Sequence, residues 1–257
     1  MNILILILVS FGASWLTFFC GFGLGTMLTP VFYMIFGDLE VAIFATTIVH
    51  FLNNVFKFLL MKKSVNWQVA IPFGLAAIPA AFLGAWLLTH FDDFVVLQYQ
   101  LFGKIWQIKA MNFVFGVILS SFALIELIPS WTLAFSKQSL WIGGFISGFF
   151  GGLSGHQGAL RTAFLVKYKL EKNVFIATGI VVALVVDIVR SSVYFSDLEK
   201  SMNIDWLLIV ISLSAALIGA ITGRYFLQKI KLETLNIIVS IAMLIFGVTL
   251  ALGFLNK

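Results

Sequence analysis

Two stretches decide the reading of this chain: Gly21-Phe22-Gly23-Leu24-Gly25-Thr26 and Gly151-Gly152-Leu153-Ser154-Gly155-His156-Gln157-Gly158-Ala159-Leu160-Arg161-Thr162. Each is a glycine cluster followed by a short apolar run, 25–37 in the first case and 158–168 in the second. A helix rises about 1.5 Å per residue, so runs of this length cover about half of a hydrocarbon core about 30 Å thick. Non-helical backbone at membrane depth is stable only where protein or a wet cavity receives its polar groups. The two clusters therefore mark candidate breaks inside a membrane domain.

The rest of the chain supplies that membrane domain. Of 257 residues, 61% are hydrophobic and 11% charged, and the mean hydropathy is +1.08. Soluble domains carry about 45–50% apolar and about 25% charged residues. Hydropathy, punctuated by glycine and charge, predicts segments 3–20, 25–37, 39–61, 67–89, 110–128, 138–151, 158–168, 172–195, 204–228 and 232–255. The fold class expected is an all-α integral membrane protein. The net charge of +5 does not imply nucleic acid, because the sixteen Lys and Arg are scattered and form no basic stripe. Cys20 is the only cysteine, so there is no disulfide framework. The first apolar run lacks a cationic start and a small-x-small cleavage site, and reads as a permanent helix.

The halves repeat. Ala45-Thr46 matches Ala177-Thr178, Asn66-Trp67 matches Asp205-Trp206, Ala77 and Gly84 match Ala216 and Gly223, and Phe115-Gly116-Val117 matches Phe246-Gly247-Val248. The order is kept, with an offset between about 131 and 139. Equivalent loops carry opposite lysine bias. Lys62 and Lys63 correspond to a loop with Asp197, Glu199, Lys200 and Asp205, and the loop with Asp38 and Glu40 corresponds to Lys167, Lys169 and Lys172. Positive-inside places such loops on opposite faces, which requires an odd number of crossings per repeat. The expectation is two inverted five-segment repeats, 1–130 and 131–257, in one compact domain, with the N-terminus outside and Lys62, Lys63, Lys137, Lys167 to Lys172, Lys229 and Lys231 in the cytoplasm. Lys104 and Lys109 fall on the outer side, beside Asp92 and Asp93, against the rule.

Half-helix N-termini offer unpaired N–H groups and a positive dipole end, which favour an anion. The expected ends are Thr26 and Gly158, approached through Gly23 and Gly25 in one half and through Ser154, His156 and Gln157 in the other. Charged groups inside a span cost about 2.5–3.5 kcal/mol each on insertion scales and face a cavity or a partner. His50, Asn54 and Lys57 share one helical face, as do Asp187, Arg190 and Tyr194, and Asn54 and Lys57 correspond to Asp187 and Arg190. Arg161 lies one turn into the second short helix and offers a fork of donors suited to a planar oxyanion. Each feature has a plainer reading: helix packing for the glycines, an i,i+3 ion pair for Asp187 and Arg190, interfacial snorkelling for Lys57, and headgroup contact for Arg161. The tryptophans Trp15, Trp67, Trp86, Trp106, Trp131, Trp141 and Trp206 fall mostly near segment ends and read as interface anchors.

These residues resemble the TauE/SafE family of sulfite exporters and related anion carriers. The resemblance rests on Gly21 to Gly25 leading to Pro30, the cluster from Gly151 to Gly158, the alanine–threonine pairs and the tryptophan-led helices. It implies export of sulfite or movement of organosulfonates and related anions through the cell membrane. The chain departs from the family's usual second cluster at His156, Gln157 and Arg161, with Ala163 where the first half has Pro30, which leaves the choice between sulfite and another small anion open. The partners expected are a small anionic substrate, a coupled proton on His50, His156 or Asp187, and the lipid bilayer, with a homodimer left open. No cofactor, metal or catalytic residue is expected. The alternatives are a rhomboid-like serine hydrolase using Ser154 in Gly152-Leu153-Ser154-Gly155 and a non-transporting assembly protein.

Overall fold

A computed structural model describes residues 2–20, 24–90, 94–101, 103–127, 140–155, 157–197, 204–226 and 232–255. They form ten helices: α1 Asn2–Cys20, α2 Leu24–Phe36, α3 Leu39–Met61, α4 Trp67–Thr89, α5 Ala110–Leu127, α6 Leu140–Ser154, α7 Gly158–Leu165, α8 Lys172–Asp197, α9 Trp206–Phe226 and α10 Leu232–Ala251. Every predicted segment is a helix with ends shifted by a few residues. Helices α3, α4, α8 and α9 are long and apolar enough to cross a bilayer, and α1, α2, α5, α6 and α10 carry shorter apolar stretches. The chain is a multi-pass membrane protein.

One element departs from the all-helical expectation. Residues between α4 and α5 form an antiparallel hairpin, β1 Val95–Leu101 and β2 Lys104–Lys109. Gly103 takes a left-handed φ of 75° at its turn. The hairpin docks on the end of α10: Tyr99 Oη donates to the Leu252 carbonyl at 2.6 Å, and the Trp106 and Phe254 rings meet edge to face.

Local chemistry explains the helix starts. Asp38 caps α3, its carboxylate accepting from Val41 N–H at 3.0 Å. Asn66 caps α4, accepting from Val69 N–H at 3.2 Å, and Asp205 caps α9, accepting from Leu207 N–H at 3.0 Å. The Asn66-Trp67 and Asp205-Trp206 match is therefore a repeated helix start. Trp67, Trp141 and Trp206 stand exposed at or next to helix N-termini, as interface anchors would.

Small residues bring backbones into contact. Helix α6 runs beside α4 in the same direction, Gly144 facing Ala76, Gly148 facing Ala77 and Gly152 facing Ala81. Helix α9 runs beside α1 in the same direction, Gly219 facing Phe11 and Gly223 facing Trp15. Without water to drive helices together, such close approach supplies the packing energy. Two further pairs run in opposite directions. Along α3 and α8, Phe44 meets Phe195, His50 meets Asp187, and the backbone N–H of Asn66, just beyond α3, donates to Thr178. Along α5 and α10, Gly116 faces Gly247 and Ala251.

Candidate functional site

The two glycine breaks meet. A Cβ added to Gly25 at the start of α2 would lie 3.6 Å from the Gly155 carbonyl, 3.9 Å from Thr46 Cγ2 and 4.0 Å from His50 Cδ2. Gly155 ends α6 with a φ of 77°, a conformation that admits glycine readily. Its N–H bonds the Gly151 carbonyl at 2.9 Å, and the chain re-enters helix at Gly158. The Arg190 guanidinium packs directly over Gly155, leaving no room for a side chain.

Helices α3 and α8 cross beside this meeting point and bring their polar residues together. His50 Nδ1 lies 2.7 Å from Asp187 Oδ2. Asn54 Nδ2 donates to the same oxygen at 3.0 Å. Arg190 Nε donates to Asp187 Oδ1 at 3.1 Å, and Arg190 Nη2 lies 2.8 Å from that oxygen. Nη2 makes no directed hydrogen bond, so its contribution is Coulombic. An ionised Asp187 requires the His50 proton on Nδ1, which leaves Nε2 as the nitrogen able to take a second proton. Asp187 is fully buried and Arg190 is 1% exposed. The cluster is a buried polar network between the two halves of the chain.

The other predicted side chains divide. Lys57 does not reach for the interface. It is 2% exposed, and Nζ donates to Thr17 Oγ1 at 2.9 Å and to the Ser14 carbonyl at 3.3 Å on α1. It also lies 5.5 Å from the Phe18 ring centre. Snorkelling is thus replaced by capture at the end of α1, since a buried ammonium needs acceptors where lipid has none. Arg161 is also buried, its Nε side against Gly179 of α8, and it is within electrostatic reach of Asp187. Gln157 is buried at the N-cap position of α7, and its backbone carbonyl accepts from Ser147 Oγ at 3.3 Å. Ser154 donates to the Phe150 carbonyl of its own helix at 2.9 Å. Gly23 and His156 lie outside the described residues, as do Trp131, Lys137, Lys229 and Lys231, and only the backbone of Thr26 is described.

Sequence reading did not single out the hydroxyls of Thr29 and Ser14, and it named Tyr194 only as sharing a face with Asp187 and Arg190. Thr29 Oγ1 donates to the Gly25 carbonyl at 2.8 Å and to Thr46 Oγ1 at 3.3 Å. Ser14 Oγ donates to Asn53 Oδ1 at 3.0 Å. Tyr194 Oη donates to the Gly152 carbonyl at 2.6 Å, holding the end of α6. Only the repetition of polar residues at helical spacing hinted at them.

Among the described residues the buried ionised side chains are Lys57, Arg161, Asp187 and Arg190, three cations against one carboxylate. A buried excess of positive charge beside two helix breaks is compatible with a small anion. The family model of the sulfite exporter TauE/SafE matches residues 6–250. The chain belongs to the TauE/SafE family. Neither the curated proteins nor the solved structures include a match. Membership makes this a membrane exporter of sulfite-type anions at the level of the family, with a small anionic substrate and a lipid surround. A transporter family and a Ser154 hydroxyl bonded to its own helix both count against the hydrolase reading.

Proposed function

We propose that the chain carries a small oxyanion, sulfite or an organosulfonate, across the cell membrane by alternating access about an inverted repeat. The observation that carries this is the meeting of Gly25 and Gly155 beside buried Arg161, Asp187 and Arg190. The repeat is supported by which residues meet. The sequence-matched pairs Gly116 with Gly247, and Asn54 with Asp187, contact each other directly. Contact between equivalents is what a two-fold axis passing between them produces. The helices that carry them, α5 with α10 and α3 with α8, run in opposite directions, so the axis is perpendicular to the helices and lies in the membrane plane. The packing of α4 on α6 has its mate in α9 on α1, again through matched Gly84 and Gly223. The domain is then two units, 1–130 and 131–257, with the N-terminus outside.

In this reading the α7 end and Arg161 hold the anion's oxygens, Gly25 and the backbone at Thr26 approach from the opposite face, and Lys57 and Arg190 set the positive potential. His50 Nε2 takes up the coupled proton while Asp187 holds Nδ1. Exchange requires the anion to bind the inward and outward states unequally. The test is uptake of labelled sulfite and labelled organosulfonates into proteoliposomes holding the purified chain. Saturable uptake above protein-free liposomes is expected. No movement of any of these anions would end the proposal.

A further inference from the structure

Gln157 is 2% exposed, and neither its amide Nε2 nor its Oε1 has a hydrogen-bond partner among the described residues. Burying an amide with both ends unpaired is unfavourable, and native structures rarely keep one without use. Neither end has a partner among the described residues, so exchanging the amide's oxygen and nitrogen leaves both unpaired all the same. Packing fixes the side chain: Gly151 of α6 lies against its stem and amide carbon, and Val186, next to Asp187, borders the same space. Arg161 stands four residues further along α7, on the same face.

Turn-building does not account for these two side chains. Aligning Ala163 with Pro30 sets Gln157 against Leu24 and Arg161 against Leu28, both buried and apolar. The first half enters its short helix without an amide or a guanidinium at those positions.

We propose that Gln157 selects an oxyanion that still carries one acidic hydrogen, a singly protonated species such as hydrogensulfite. A primary amide presents a donor and an acceptor side by side, and an X(=O)–OH group presents their complement. The ligand O–H donates to Oε1, a neighbouring ligand oxygen accepts from Nε2–H, and the remaining negative charge faces Arg161. No bond is made or broken, and the proton travels on the substrate. An alkyl sulfonate has the oxygens and the charge but no O–H, and leaves Oε1 unpaired. This inference rests on the anion-carrier reading and narrows its substrate to one protonation state.

The experiment compares hydrogensulfite with methanesulfonate, a monoanion with three oxygens on sulfur and no O–H, on the full chain in lipid nanodiscs at mildly acidic pH. The wild type is expected to bind hydrogensulfite at least about tenfold more tightly, as a site built for a hydroxyl discriminates against its absence. Gln157→Met keeps the length and removes both polar ends, and brings the two affinities within about threefold of each other. Equal binding by the wild type, or an unchanged preference in Gln157→Met, overturns the assignment while leaving the anion site standing. Binding of neither anion by the wild type overturns both. Should Gln157→Met not fold, a pH series on the wild type decides. Apparent sulfite affinity falls as the buffer turns alkaline while methanesulfonate affinity stays level. Titration of His50, or of the buried charges Lys57, Arg161, Asp187 and Arg190 around the site, would shift both anions together, and a joint shift counts against the proposal.

Discussion

Replacing Asp187 by alanine removes the carboxylate that His50, Asn54 and Arg190 share. Arg190, 1% exposed, is then left as an unpaired buried cation. Breaking a buried ion pair from one side costs about 3–5 kcal/mol. Counting instead the lost hydrogen bonds to a charged acceptor, about 1.5–3 kcal/mol each, describes the same loss and is not added to it. Arg190→Leu is expected to cost less, because His50 and Asn54 still satisfy Oδ2. The double variant Asp187→Ala/Arg190→Leu removes both charges together and leaves neither unpaired. It is expected to be more stable than the sum of the single changes by at least about 2 kcal/mol. Equilibrium unfolding in mixed lipid–detergent micelles, followed by circular dichroism, measures all three. Additivity within about 0.5 kcal/mol would refute the claim that these residues form one network.

Other expectations test separate parts of the account. Gly152→Ala drives a methyl into the Ala81 carbonyl and should destabilise the chain by about 1–3 kcal/mol in the same assay. Gly12→Ala, with nothing within 4 Å of the added methyl, should be neutral or should gain about 0.5–1 kcal/mol from helix propensity. Arg161→Gln should raise the KM for sulfite uptake by about 10- to 100-fold, the loss of a charge-assisted bond. Lys57→Met should raise it less than about tenfold, since Lys57 bonds Ser14 and Thr17 on α1 and its effect on the anion is one of distance. In a Cys20→Ser background, single cysteines at Ser64 and Ile204 should react with an impermeant maleimide from opposite sides of the membrane. Labelling from one side would contradict the inverted arrangement.

The sequence was most legible where one physical rule dominated. Helix ends followed hydropathy, and the internal repeat paired Asn66-Trp67 with Asp205-Trp206 before their capping bonds to Val69 and Leu207 were known. The i,i+3 and i,i+4 spacings placed His50 with Asn54 and Asp187 with Arg190 on shared faces, and those faces do meet. Partner choice was less legible. Lys57 sits on the same helical face as Asn54, yet it turns to Thr17 because α1 offers acceptors nearer its ammonium. The hairpin Val95–Leu101 with Lys104–Lys109 escaped because short strands depend on the surface they pack against, here the end of α10. Ser14 and Tyr194 acquire meaning only from the helix ends opposite them, which no local pattern encodes.

Countertransport tests the central claim most directly. Proteoliposomes are preloaded with unlabelled sulfite and diluted into a trace of labelled sulfite. A carrier exposing one anion site to each side in turn predicts that label rises above its equilibrium level and then decays, and that Arg161→Gln flattens the rise. Monotonic filling to equilibrium in the wild type, or an undiminished overshoot in Arg161→Gln, would contradict a single alternately exposed site at the two breaks.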